Sequence, residues 1–366
     1  MKQQSLLLVG YFSDDPTIYT YSSSFARALR SCGYRVTTFN TKQKLFNYDH
    51  RLLAMINNYR VNHVLKKTVA EQKPDILFLI KPDTITAQTI AWIKDRYHPT
   101  IIAFHPDNPF AFWNGNSNSN ILSSLHLIDH FLCWSKMLIP AVQSAGCDNV
   151  HYFPFAFDEE IFFKEIAVMH ADEEKYSSDV CFVGTWEPSR EAWLSAIAQH
   201  MPTINLAIWG NQWKEKLSPT NMLHKHLRGP AIYGDDMIKA FRLSKIVLNF
   251  IRQQNMTSHN MRTCEVPASK AFLLTERTYE QAVLLFREDE DIACFATPEE
   301  LIKKIAFYLP ADKLRKQMVE NAFALVQKFT ITKQLSEIMS SITHEKRRCS
   351  YEKHHQHVRR NRACAP

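Results

Sequence analysis

The chain has 366 residues, of which 45% are hydrophobic, 12% aromatic and 22% charged. At ~150 residues per domain this is two domains' worth, with a composition that excludes wholesale disorder and fibrous repeats. The net charge of +7 is uneven: residues 344–366 hold seven Lys/Arg against two Asp/Glu, so the preceding body is nearly neutral and its charge gives no reason to expect nucleic-acid binding. No apolar run approaches the ~18 residues of a membrane span. The N-terminal MKQQSLLLVGYFSDDP carries acids where a leader would have small cleavage-site residues. It therefore reads as a first strand, not a signal peptide.

Leu6–Val9 is a continuous apolar run ending at Gly10, Ser22–Cys32 has helical spacing closed by Gly33, and Arg35–Phe39 is a second strand. Leu45 to Lys73 fits one or two amphipathic helices. Ile76–Ile80 and Ile101–Phe104 have the apolar character of buried parallel strands, with a helix at Thr86–Tyr97 between them. The run Asn114 to Asn120 is expected to be an irregular polar loop. Phe131–Trp134, a helix near Lys136–Ala145 and a strand at Val150–Phe153 complete a first unit.

The charged stretch 164–178 is expected to be a linker, after which the alternation restarts. Val180–Val183, Ile204–Trp209, Ile246–Phe250 and Phe272–Leu274 read as strands; Arg190–His200, Met237–Leu243 and Glu299–Tyr308 read as helices. Helices are expected again from Pro310 to about Ile342. The expectation is α/β: two Rossmann-like units with doubly wound parallel sheets, 1–163 and 179–330, then a helix at 331–343 and a disordered basic tail at 344–366. Two such units imply a cleft beyond the carboxyl ends of their strands.

Eight cysteines at 32, 133, 147, 181, 264, 294, 349 and 364 stand singly, without a Cys-x-x-Cys pair. A reducing compartment and a cytoplasmic location are expected. The tail also holds His354, His355 and His357 between Cys349 and Cys364, at a spacing that matches no zinc module. Its positive charge suits an anionic partner, nucleic acid or acidic lipid.

The most informative stretch is Ser258–Arg277, SHNMRTCEVPASKAFLLTER. An apolar strand leads into a polar loop with Arg252, His259 and Arg262, then a short helix with Glu265 near its start. Arginines and a helix N-terminus favour phosphate, and a carboxylate can accept both hydroxyls of a ribose. The competing reading pairs Glu265 with Arg262 one turn back. Gly184 ends a strand and would let backbone approach a phosphate, while Arg190 at the next helix start could neutralise a diphosphate. Gly210 reads as a turn glycine. His105 and Asp107 in FHPDNP follow a buried strand and are candidates for positioning or deprotonating an acceptor hydroxyl. Asp14 and Asp15 after the first strand are secondary candidates. Asp289 and Asp291 spell an Asp-x-Asp inside the charged run REDED, which reads as a solvated turn and not a metal site.

Arg262-Thr-Cys-Glu265, Glu276-Arg277, Phe286 before an acidic patch, and Phe295-Ala-Thr-Pro-Glu-Glu-Leu301 together resemble the C-terminal half of CgeB-type glycosyltransferases, relatives of spore-maturation proteins. CFVGTWEPSREAWL, AIWGNQW, LSKIVLNF, FHPDNP and FPFAFDEEIF extend the likeness over most of residues 1–343. The resemblance implies the GT-B fold and sugar transfer from a nucleotide-sugar donor in the C-terminal unit to an unidentified acceptor in the N-terminal unit, without an obligatory metal or other cofactor. It makes Glu265 the ribose ligand, with Gly184, Arg190, His259 and Arg262 around the donor. The first glutamate of the retaining GT-B pair would fall at Thr257, and Ser269-Lys270 stands where the family has small residues. These departures suit a catalytically silent scaffold that binds a nucleotide, sugar or protein, the alternative to an enzyme.

Overall fold

The computed structural model describes residues 3–15, 18–42, 51–112, 117–255 and 257–343. The tail, with Cys349, Cys364 and its histidines, lies outside them, as does the start of the helical stretch expected from Leu45.

Among the described residues twelve parallel strands form two six-stranded sheets. In the first, β1 (Ser5–Gly10), β2 (Arg35–Asn40), β3 (Ile76–Ile80), β4 (Thr100–Phe104), β5 (His130–Cys133) and β6 (Val150–Tyr152) lie in the order 2-1-3-4-5-6. In the second, β7 (Ser178–Val183), β8 (Leu206–Trp209), β9 (Leu227–Gly229), β10 (Ser244–Asn249), β11 (Leu273–Glu276) and β12 (Ala293–Phe295) lie in the order 12-11-10-7-8-9. Helices on both faces bury the central strands completely, which is why β3 and β4 read as unbroken apolar runs. Two short edge strands of the second sheet are not among the expected ones: β9, Leu-Arg-Gly, has no apolar run, and β12, Ala-Cys-Phe, is buried but only three residues long.

Three local expectations are corrected. Asn118 caps a helix, Ser119–Ser124, by accepting from the Asn120 N–H, so the end of the polar run is helical, as asparagine at an N-cap favours. Part of the expected linker is a helix, His170–Tyr176, held by Asp172 to Lys239 and by Tyr176 tilted against Trp209. Lys270 stands where the resemblance implies a small residue, a place from which it would block the donor or add a phosphate contact, and its side chain is directed elsewhere. It takes a left-handed φ of 57° just past the helix Arg262–Ala268, a position that favours glycine, and its ammonium lies over Phe323.

The chain passes between the halves twice, at residues 153–157 and 329–331, where Phe157 N–H donates to the Phe329 carbonyl and Ile331 N–H to that of Phe157. Residues 331–343 then form a helix whose Ile331, Leu335, Met339 and Ile342 complete the core of the N-terminal half. In both sheets the winding reverses at a central pair, β1/β3 and β7/β10, and these two reversal points lie at the shared crevice.

Gly184 and Gly210, at the ends of neighbouring strands β7 and β8, meet more closely than a turn requires. A Cβ on Gly210 would stand 1.9 Å from the Gly184 carbonyl oxygen, which also accepts from the Trp213 indole at 2.8 Å. Gly210→Ala is expected to destabilise the protein by ~1–3 kcal/mol, because backbone must move to admit the methyl. Chemical denaturation checks this; an unchanged midpoint would show that the strand ends yield freely.

Candidate active site

Two cavities share the crevice. The first, about 410 Å³, is bounded by the ends of β7 and β10 (Gly184, Asn249), by Arg190, Arg252 and Arg262, and by Asp107 from the N-terminal half. The second, about 380 Å³, is lined mainly by apolar and aromatic side chains including Tyr19, Tyr21, Tyr233 and Met237, with Glu265 in its wall. Tyr21, Met261 and Arg262 border both.

The first cavity is electropositive by construction. Arg190 sits on the opening turn of the helix Pro188–His200 and donates to the Thr185 carbonyl at 2.7 Å, packed over the Phe182 ring. Burial pushes its guanidinium down to about 10; Glu187 opposes this, while Arg252 and Arg262 add to it. Three guanidiniums close enough to perturb one another gain from a shared anion. Glu187 pairs with Arg252 and, at 3.8 Å, with Arg190. Arg262 pairs with Glu265, the one-turn contact of the competing reading, and its buried Nε has no hydrogen-bond partner among the described residues. Gly184 lies in the cavity wall, where an added Cβ would meet the Phe182 ring at 2.7 Å.

Asp107 faces these arginines. Its carboxylate binds Lys81 and accepts from Gln254 Nε2 at 2.8 Å, so it bridges the halves. His105 is placed differently from expectation: its ring is fully buried, with Nε2 2.9 Å from Asp83 and Nδ1 2.8 Å from the Asp107 carbonyl. It therefore fixes the Asp107 backbone and does not line either cavity. Asp14 and Asp15 are exposed in the loop after β1 and line neither cavity.

His259 is likewise not a cavity residue. Its Nε2 accepts from the Phe155 N–H at 2.9 Å, and Nδ1 faces Ser258 Oγ at 2.9 Å and Glu280 at 3.3 Å. Burial lowers its pKa against the opposing pull of Glu280. Glu280, buried, also accepts from Ser135, the Lys136 N–H, Tyr152 and Ser258. Burial raises its pKa, but the bonds from His259, Ser258 and Lys136 outweigh this and hold the carboxyl below its ordinary value.

Asp289 is taken by Lys304 at 2.6 Å and Tyr308 at 2.8 Å, and Asp291 is buried against Arg287 at 2.8 Å. This Asp-x-Asp stands in the turn before β12, bordering neither cavity of the crevice. Among the described residues no group of three or more His, Cys, Asp or Glu is arranged to hold a metal.

The architecture can be set beside known structures. Sucrose-phosphate synthase from Thermosynechococcus elongatus superposes with a TM-score of 0.69, at 11% identity, covering 94% of this chain and all of that one. The fold is GT-B. Other GT-B structures match over similar spans. Anabaena Alr3699/HepE, solved in complex with UDP-glucose, gives a TM-score of 0.64 at 11% identity, over 93% of this chain and 100% of that one. A Rickettsia africae glycosyltransferase gives 0.63 at 11%, over 93% and 98%. A family model described as glycosyl transferase-like matches residues 190–340, a stretch, shorter than half of the chain, that carries Arg190, Arg252, Arg262 and Glu265. No curated protein sequence matches the chain.

Sequence reasoning did not single out Lys81, Asp83, Gln254 or Glu280. Lys81 follows β3 with a left-handed φ of 46°, a conformation that no local pattern announces.

The two titrating groups of the interdomain contact act in one direction. A carboxyl held below about 4.3 contributes stability that is lost as pH falls through that range, and a histidine held below about 6.5 loses stability as pH falls under that value. The denaturation midpoint is expected to drop between about pH 7 and 5. His259→Gln should flatten that segment; an unaltered slope in the variant would assign the pH dependence to other groups.

Proposed function

We propose that this protein is a glycosyltransferase of CgeB type that takes a nucleotide-sugar donor against its C-terminal half and an acceptor against its N-terminal half. The observation that carries this reading is the convergence of Arg190, Arg252 and Arg262 on one cavity between two Rossmann-like units. Diphosphate is the leaving group of such a donor, and preorganised guanidiniums stabilise the charge that develops as the sugar bond breaks. Arg262 Nε, buried and without a hydrogen-bond partner among the described residues, is available to a phosphate oxygen. Glu265 then exchanges part of its contact with Arg262 for the ribose hydroxyls, with the nucleoside in the aromatic-lined cavity. The complex of the HepE protein with UDP-glucose supports a donor of this class.

Asp107 is the acceptor-side residue, able to receive a proton from an incoming hydroxyl when Lys81 and Gln254 hold it in the cavity. His105 acts through it as a positioning residue, because both ring nitrogens are occupied. In this reading the charge on the leaving group is met by arginines, so turnover persists in chelator. The cytoplasmic location expected from the scattered cysteines is part of the same proposal.

A panel of nucleotide sugars tested by thermal shift and by release of nucleoside diphosphate decides between an enzyme and a silent scaffold. The proposal predicts stabilisation of ~2.7 kcal/mol at a hundredfold excess over the dissociation constant, together with release. Binding without release in the presence of candidate acceptors would favour the scaffold, and the absence of both would remove the donor site. Arg262→Ala is expected to weaken nucleoside diphosphate binding by ~1.5–3 kcal/mol, with Asp107→Asn lowering turnover at nearly unchanged donor affinity. Calorimetry beside initial rates separates the two; equal losses of affinity would contradict the division of roles.

A further inference from the structure

The helix Arg51–Gln72 buries Val61, Leu65 and Val69 in the N-terminal core. Its opposite face is unusual. Met55, Ile56 and Tyr59 are 63%, 50% and 77% exposed, three large apolar side chains within two turns of one another. An isolated exposed apolar residue needs no explanation, whereas a group on one helical face marks a surface that meets something.

The charges around this group indicate what it meets. Arg60, His63 and Lys67 are exposed on the same face, and Tyr59 stacks on His63 with ring centroids 6.4 Å apart. From Arg51 to Gln72 there are four Lys/Arg against a single acid, Glu71, which sits at the far end and pairs with Lys67 at 3.9 Å. On the adjoining helix Ala87–Tyr97, the partly buried Trp92 lies under Lys66 at 5.5 Å and under Arg96 at 5.2 Å. Apolar side chains bordered by cations, with Tyr and Trp beside them, match a surface whose outer layer is anionic and whose interior is hydrocarbon. A protein partner of ordinary composition gives no reason for cations to surround the apolar group so consistently.

We infer that this face of the N-terminal half docks on an anionic lipid bilayer, with Met55, Ile56 and Tyr59 entering the interface and Arg60, Lys66, Lys67 and Arg96 meeting lipid phosphates. Stable attachment takes two signals, and the chain carries a second one. The helix over 331–343 packs in the same half, with Thr343 beside Tyr34, so the basic segment 344–366 issues from the half that bears the patch. Docking is independent of the proposed sugar transfer, and its test does not require turnover.

The test is co-sedimentation of the full chain with vesicles of phosphatidylcholine alone, or of phosphatidylcholine and phosphatidylglycerol in equal parts. The wild type is expected to pellet with the mixed vesicles and to be released by salt. Met55→Ser/Ile56→Ser/Tyr59→Ser, with melting checked to show an intact fold, should partition about tenfold or more weakly, since each side chain gives up apolar burial. Arg60→Glu/Lys67→Glu should weaken the preference for the anionic vesicles, the basic segment being unchanged. Wild-type levels of pelleting by the triple variant would overturn the proposal by assigning all binding to the tail. A dimer without lipid that the triple variant dissociates would overturn it in favour of a second copy of the chain. Failure of the wild type to pellet with mixed vesicles would overturn it outright.

Discussion

The crevice depends on one buried carboxylate. Taking Glu280 out of water is costly unless its lone pairs are met, and the donors that meet them come from both halves: Ser135, the Lys136 N–H and Tyr152 on one side, Ser258 and His259 on the other. Neither half alone satisfies the charge. The Glu280 N–H also donates to the Thr257 carbonyl at 3.2 Å, so the same residue pins the loop that leads into the helix Arg262–Ala268. His259 extends the tie by accepting from Phe155, where the chain crosses between the halves.

From that constraint the electrostatics follow. With the loop fixed, Arg252 and Arg262 are held opposite Arg190, and their mutual repulsion is only partly relieved by Glu187 and Glu265. The close passage of Gly210 over the Gly184 carbonyl keeps the ends of β7 and β8 tight beside this charge. On the other wall, His105 and Asp83 lock the turn that presents Asp107. The site thus sets a cluster of guanidiniums, partly paired, against the oriented carboxylate of Asp107, and the proposed transfer rests on that arrangement.

The sheets were legible because central parallel strands are buried on both faces and must be apolar throughout, as at Leu77–Leu79 and Ile101–Ala103. The edges β9 and β12 are not, since Leu-Arg-Gly is no apolar run and Ala-Cys-Phe is too short a one to mark a strand. Arg190, Arg262, Glu265, Gly184 and Asp107 border the crevice because each lies shortly after a strand or in the first turn of a helix, where ligands of α/β sheets bind. The histidines were misplaced for a shared reason. A histidine in a polar loop looks available, yet His105 and His259 are buried by carboxylates that are 22 and 21 residues away in sequence. Glu280 gives no local sign that it joins the two halves, because its partners are brought to it only by the fold.

The central claim is that a phosphate-bearing donor is held in the crevice by the arginines of the C-terminal half, facing the Asp107 wall of the N-terminal half. Hydrogen exchange of the full chain, with and without a nucleoside diphosphate, tests it most directly. The account predicts slowed exchange at residues 182–190 and 257–265, with a smaller effect at 104–108 across the crevice, and none at 287–291. Protection at 287–291 with no change at 182–190 or 257–265 would contradict it, placing the nucleotide at the Asp-x-Asp turn and leaving the arginine cluster without a ligand.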